Sequence, residues 1–262
     1  FHHDSEINYW FPFEQQIYTH HVLLYPEGLE DILQEYPLIK LEEKIGELVK
    51  GWEDHLKEAV KSLPEGKVPA DFESKYSGVF TPAYQATYAP NDAVKDILYL
   101  EDLISNKRIV TDIRPGERDT NSIILIYSLE HYALSDIVPI LQNFGITPLN
   151  DKTFNFFIHE QPIWIYSFTV QHGIVSKQNY MDYRKRFRSA LRAILEKRID
   201  NDVLNALLSL ASFTKEEVSL FILLRNYIWQ IGTPYTKKTM NEVLLENTST
   251  LELLKGYFLI KF

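Results

Sequence analysis

"SIILIYSLEHYALSDIVPILQNFGI", residues 122–146, decides the fold, because it joins a strand to a sharply bounded helix. Ser122 to Glu130 is a β-rich run with little polarity, the pattern of a central strand. Ser135 or Asp136 then caps a short helix that keeps apolar periodicity and stops at Gly145. With Asp136 as the N-cap, Pro139 takes the third helical position, where its missing N–H has no intrahelical partner in any case.

Working outward, "KRIVTDIRP" predicts a strand over 108–114, followed by the polar turn "PGERDTN". "TPLNDKTFNFFIHE" and "PIWIYSFTVQ" are two further strands, separated at Gln161-Pro162. "SKQNYMDYRKRFRSALRAILEKRI" predicts a long helix with Tyr180, Tyr183, Phe187, Leu191 and Ile194 on one side. Strand, helix, strand, strand, helix, with one strand ahead, predicts an α+β sandwich close to the ferredoxin-like plan.

Upstream, "IYTHHVLLY" (17–25) reads as a strand within an aromatic-rich, poorly patterned start. A helix is expected over 41–63, where Leu41, Ile45, Leu48, Trp52, Leu56 and Val60 follow steps of three and four. A helical stretch at 70–80 comes next, then a helix ending near Ser105 with Asn91 or Asp92 as its cap. Past Asp200 the sequence is all helix: 200–211, 214–232 with a Thr214/Glu217 capping box and a Gly232 stop, and 236–247 and 250–262 capped by Thr236 and Thr250.

Composition narrows the function. The chain has 262 residues, 45% of them hydrophobic, a formal net charge of -9 and no cysteine. That balance disfavours a nucleic-acid partner, since phosphate neutralisation needs a basic face. Thiolate chemistry and Cys-type zinc sites are excluded, and a reducing cytoplasm is the expected location. No apolar run spans a bilayer. The first residue is Phe1 and the last stretch is still periodic, so the chain is expected to be a piece of something larger.

No glycine-rich fingerprint for a dinucleotide or a nucleoside triphosphate occurs. The histidine pairs His2-His3 and His20-His21 are adjacent, a spacing ill suited to chelation, and no metal is expected. The basic run 183–198 interleaves with apolar positions, as on a solvated face or an interface. Phe221, Tyr227 and Trp229 read as core. Glu130, His131, Ser135 and Asp136 gather at the strand-to-helix junction, where a helix N-terminus can receive a carboxylate. Helix capping alone explains the same residues more simply, and no catalytic constellation stands out.

Several segments together resemble the large NAD-specific glutamate dehydrogenases of bacteria. "WEDHLKEAV" is similar to that family's Trp-Glu-Asp helix, and "YSGVFTPAYQATYAPNDAVKDILYLEDL" is similar to the segment next to that helix in the family. "LSDIVPILQNFGI" matches a further motif, with Gln142 and Phe144 as departures, and "WIYSFTV" resembles its tryptophan-centred strand. "NDVLNALLSLASFTKEEVSLFILLRNYIWQIGTPYTKKTMNEVL" is similar to the helical part before the catalytic domain. After "PLIKL" the chain departs, passing straight to the Trp-Glu-Asp helix.

The resemblance implies an ACT-like domain at 107–200, a helical segment at 201–262, and a region 1–106 that is the remnant of a preceding ACT-like domain. It implies NAD in the parent enzyme and no cofactor, catalytic residue or metal in this piece. Its partners would be its own catalytic domain, further copies of itself, and a small amino-acid effector at Glu130, His131, Ser135 and Asp136. The alternative is a pure oligomerisation module with no effector site.

Overall fold

The computed structural model describes residues 5–13, 16–24, 50–64, 68–69, 71–116, 121–171 and 180–261. They fall into two compact units, one up to Val68 with Ala89–Asn91, the other Pro69–Tyr88 with Asp92 onward. In the first, β1 (Ser5–Phe13) and β2 (Gln16–Leu24) pair antiparallel, Ser5 with Leu24 and Phe13 with Gln16. The strand expected at 17–25 is β2, while β1 lies in the stretch that no pattern resolved. Helix α1 (Trp52–Lys61) is shorter than the helix expected from residue 41. Gly51 is extended and serves as its N-cap, donating its N–H to Asp54 Oδ2 at 3.1 Å. The Leu41–Leu48 part of that expectation lies outside the described residues.

The second unit opens with α2 (Phe72–Tyr76), α3 (Pro82–Gln85) and, from Asp92 onward, α4 (Pro90–Asn106). Phe72, Tyr76, Phe80, Tyr84 and Tyr88 recur every fourth residue and form a continuous line, neighbouring ring centroids lying 4.7 to 6.5 Å apart. Helix α4 begins at Pro90, which a first turn accepts because it lacks only an unused N–H. Asn91 and Asp92, expected as caps, are therefore inside the helix.

Next come β3 (Val110–Pro115), β4 (Asn121–Ser128), α5 (Leu134–Asn143), β5 (Pro148–Ile158), β6 (Gln161–Gln171) and α6 (Tyr180–Leu195). The sheet runs in the order β3-β4-β6-β5 with every neighbour antiparallel. This is the expected α+β arrangement, the preceding strand β3 taking the fourth place beside β4.

The two-residue period of the strands sorts their side chains onto two faces. Ile113, Ile124, Ile126, Tyr166 and Phe168 share a core with Ile137 of α5, Phe144 just after it and Phe187 of α6. The other face meets the aromatic line: Phe154 is 5.4 Å from Tyr84, and Phe156 is 5.5 Å from Phe80. Tyr88 and Ser167 share a hydroxyl hydrogen bond of 2.6 Å. Helices thus cover both faces, which explains why β4 is apolar and buried from Ile124 to Tyr127.

Charge is built into this interior. Asp96 of α4 is fully buried and accepts from Arg114 at 2.5 Å, from Tyr127 at 2.7 Å, and from Tyr84. Asp112 of β3, 1% exposed, accepts from Arg114 at 3.1 Å and Arg184 at 3.0 Å. The Arg114 and Arg188 guanidinium groups lie 5.7 and 5.2 Å from the Tyr99 ring centroid. Burial pushes the Asp96 carboxyl up against the pull of Arg114 and the two hydroxyls. It also works against the Arg114 charge, but Tyr127, Asp96 and Asp112 outweigh it.

Beyond Asp200, the single helix expected over 200–211 is instead a 3-10 turn (Val203–Ala206) followed by one turn, α7 (Leu207–Leu210). Arg186 of α6 closes α7, donating to the carbonyls of Leu208 at 3.1 Å and Phe213 at 2.8 Å. Helix α8 (Lys215–Gln230) begins in the expected capping box and ends before Gly232, whose φ is +93°. Helix α9 (Lys237–Glu246) is capped by Thr236, and α10 (Thr248–Lys261) starts two residues before its expected cap, Thr250. Of the aromatics read as core, Phe221 is 5% exposed, but Tyr227 and Trp229 are 60% and 47% exposed. They fall on the outer side of α8. Buried Arg225 holds the segment together, bonding Asp202 at 2.8 and 2.7 Å and Asn241 of α9 at 2.7 Å.

Removing one partner of a buried ion pair leaves the other charge uncompensated and costs about 3–5 kcal/mol. Asp112→Ala is expected to lose that much in urea unfolding, and a loss below about 1 kcal/mol would refute the charge centre's role. For Asp202, burial raises the carboxyl, but Arg225 and the Leu204 N–H outweigh it and hold it below its ordinary 3.8. Its stabilisation is therefore complete above that value and is lost as pH falls through the lowered one. The stability gap between wild type and Asp202→Asn is expected to be constant above about pH 5 and to close below about pH 4. A gap that persists to about pH 2 would contradict the pairing.

Candidate functional site

The loop between β4 and α5 brings the four sequence-predicted residues close along the chain but does not turn them into one cluster. Glu130, His131, Ser135 and Asp136 are all exposed. The His131 ring packs edge-on against Trp164 of β6 at 4.6 Å. The loop backbone is partly committed: the Glu130 N–H donates to Ser128 Oγ at 3.0 Å and the Tyr132 N–H to the Tyr166 hydroxyl at 2.6 Å.

The capping explanation needs correction. Helix α5 starts at Leu134, and its N-cap is Ala133, with no side-chain capping bond. Ala133 supplies only its carbonyl, to the N–H groups of Asp136 at 2.9 Å and Ile137 at 3.3 Å. Ser135 and Asp136 occupy the second and third helical positions, and Pro139 lies inside the helix. Proline there removes the donor that would otherwise reach the Ser135 carbonyl. The buried side chains Ile137, Ile140 and Leu141 hold the helix on the sheet despite that missing bond.

Glu130 lines a cleft of about 590 Å³ that it shares with Lys107, Arg108, Tyr132, Glu196 and Lys197. Three cations and two carboxylates thus face one space. Glu196 reaches Arg198 with Oε2 at 2.5 Å, while its Oε1 is shielded from solvent and accepts no hydrogen bond from the described residues. Burial raises the Tyr132 hydroxyl. Lys107 and Lys197 follow the ends of α4 and α6 with φ of +49° and +55°. Such left-handed helix ends are usually glycine. Without it, nothing in the sequence marks these two positions, and only the fold brings them beside Glu130.

Among the described residues, no group of three or more His, Asp or Glu is placed to hold a metal ion. No helix among them is long and apolar enough to cross a membrane. The His2-His3 pair and the side chains of His20 and His21 lie outside the described residues.

Since Ser135 makes no capping bond, Ser135→Ala is expected to change the unfolding free energy by less than about 0.5 kcal/mol. A loss of about 1 kcal/mol or more, the usual cost of deleting a cap, would restore the capping assignment.

Comparison with known proteins places these elements. Three family models match in series: glutamate dehydrogenase helical motif 2 at residues 60–103, the ACT3 domain at 113–182 and helical motif 3 at 199–262. The NAD-specific glutamate dehydrogenase of Mycobacterium tuberculosis is 26% identical over 226 residues, covering 84% of this chain and 14% of the relative. Those of Halomonas elongata and Pseudomonas aeruginosa are 24% and 25% identical, over 75% and 85% of this chain. The chain spans between 12 and 14% of the length of these relatives. Through these three consecutive modules, the chain belongs to the family of large NAD-specific glutamate dehydrogenases, of which it carries the ACT3 domain and a helical motif on either side.

Proposed function

We propose that this chain is a regulatory and assembly region of a cytoplasmic NAD-dependent glutamate dehydrogenase. The whole protein would convert L-glutamate, NAD and water to 2-oxoglutarate, ammonium and NADH, and this region would take no part in the chemistry. The observation that carries the assembly role is the apolar surface of the helical segment. Helices α8 to α10 border a groove of about 510 Å³ lined by side chains such as Phe221, Ile228, Met240 and Leu254. In the same segment Leu223, Tyr227, Ile231, Tyr235, Leu253 and Tyr257 are each at least 60% exposed. Exposed apolar area on that scale marks an interaction face. Its occupants under this reading are the protein's own catalytic domain and further copies of the chain.

A second reading, regulation by a small amino acid, is favoured by the cleft beside Glu130. Glu130 and Glu196 suit an ammonium group, and Lys107, Arg108 and Lys197 suit a carboxylate. The predicted position of the effector then moves, from Ser135 and Asp136 toward Glu130 and its neighbours.

Leu223→Ser with Leu253→Ser in the full-length enzyme is expected to lower its assembled mass in light scattering. The melting temperature of the isolated chain should stay unchanged, since both side chains are exposed. An unaltered assembly would remove the helical segment from the interface. The isolated chain is expected to reduce no NAD with glutamate, and turnover would overturn the division of labour. Calorimetric titration of the chain with amino acids tests the effector, and heat that survives Glu130→Gln with Lys197→Gln would exclude this cleft.

A further inference from the structure

Helix α6 carries Arg184, Lys185, Arg188 and Arg192 at spacings that keep them on one side of the helix. With Asp102 and Thr111 they border a cleft of about 460 Å³ along the edge strand β3. These cations differ in what they already hold. Arg184 is bonded to Asp112 at 3.0 Å. Arg188 uses its Nε on the Thr111 carbonyl at 2.6 Å and stands 3.7 Å from Asp112. Lys185 makes no ion pair with the described residues, and Arg192 Nε is shut off from solvent without an acceptor.

Lys185 and Arg192 thus bring charge to the cleft that no ion pair among the described residues neutralises. Counting the buried centre behind it, five cations (Arg114, Arg184, Lys185, Arg188, Arg192) meet three carboxylates (Asp96, Asp102, Asp112). That local surplus of positive charge sits in a chain whose net charge is -9.

We propose that this cleft binds a small doubly charged oxyanion, carboxylate or phosphate. Guanidinium forks match both groups in geometry. Lys185 and Arg192 lie two helical turns apart, about 10 Å along the axis, with Arg188 between them, which spreads the positive field over a short, two-ended ligand. A nucleic acid would need a longer basic face than this one cleft supplies. Because Arg184 and Arg188 share Asp112 with Arg114, an anion held here would bear directly on the charge centre between sheet and helices. The site is separate from the cleft beside Glu130 and stands whether or not that one is used.

The test is calorimetric titration of the 262-residue chain at low ionic strength with glutarate, inorganic phosphate, acetate and a single-stranded RNA. One dianion is expected to bind with one-to-one stoichiometry and at least ten-fold more tightly than acetate, and the tighter of the two identifies the ligand's chemistry. Lys185→Gln with Arg192→Gln should weaken binding at least ten-fold, while Arg198→Gln, an exposed residue paired with Glu196, should leave it unchanged. If the double variant unfolds, the exposed Lys185→Gln alone must still weaken binding. Absence of binding by both dianions, equal binding by wild type and variant, an equal loss with Arg198→Gln, or tighter binding of single-stranded RNA would each overturn the proposal.

Discussion

Two carboxylates withdrawn from water, Asp96 on α4 and Asp112 on β3, set the terms for the second unit. Neither can be buried as an ion without donors, and the donors come from elements far apart in sequence: Tyr84, Arg114, Tyr127 and Arg184. Satisfying them fixes how α3, α4, β3, β4 and α6 sit on one another. An apolar interface of the same area would tolerate sliding; a buried network of directed bonds does not. Arg114 is the shared member, bonding both aspartates. Its Nη1 still lacks a partner among the described residues, so even this centre is incompletely satisfied.

The same centre bears on which edges of the sheet are left open. Strand β3 is a sheet edge, yet two of its outward carbonyls are taken: Thr111 by Arg188 at 2.6 Å and Ile113 by the Tyr180 hydroxyl at 2.9 Å. Helix α6 thus closes that edge against strand addition. Strand β5, the opposite edge, is exposed and polar from Asn150 to Thr153 and carries a register shift near Pro148, features that also discourage pairing. The surface still available is helical. The apolar flank of α8 to α10 is tied to the rest by Asp202, Arg225 and Asn241 and stays exposed.

Much of this was legible in the sequence, for definite reasons. The strand at 122–130 and the capping box at Thr214 arise from local patterns that tertiary packing had no cause to override. The β5–β6 hairpin was legible too, but its turn is His159-Glu160, both with positive φ, while Gln161 and Pro162 are already paired within β6. The four-residue recurrence of Phe72, Tyr76, Phe80, Tyr84 and Tyr88 was present as well, and it is the signal by which the covering of the second sheet face could have been found. Other features were hidden. Ser135 and Asp136 look like caps, yet α5 starts one residue before Ser135 because Ile137, Ile140 and Leu141 must face the sheet. The basic run 183–198 resembles a solvated face, but Arg184, Arg186 and Arg188 are spent on Asp112 and on carbonyls that only the fold brings near. Both candidate clefts are built from residues that meet across helix ends and strand edges, which no spacing rule reveals.

The assembly role requires that the helical segment's apolar flank be covered in the whole enzyme and bare in this chain. Hydrogen–deuterium exchange on residues 215–258, compared between the isolated chain and the full-length protein, tests it directly. Amides around Tyr227, Tyr235 and Leu253 are expected to exchange markedly more slowly in the full-length protein, while those of β4 and β6 stay equally protected in both. Identical exchange across α8 to α10 in the two proteins would contradict it.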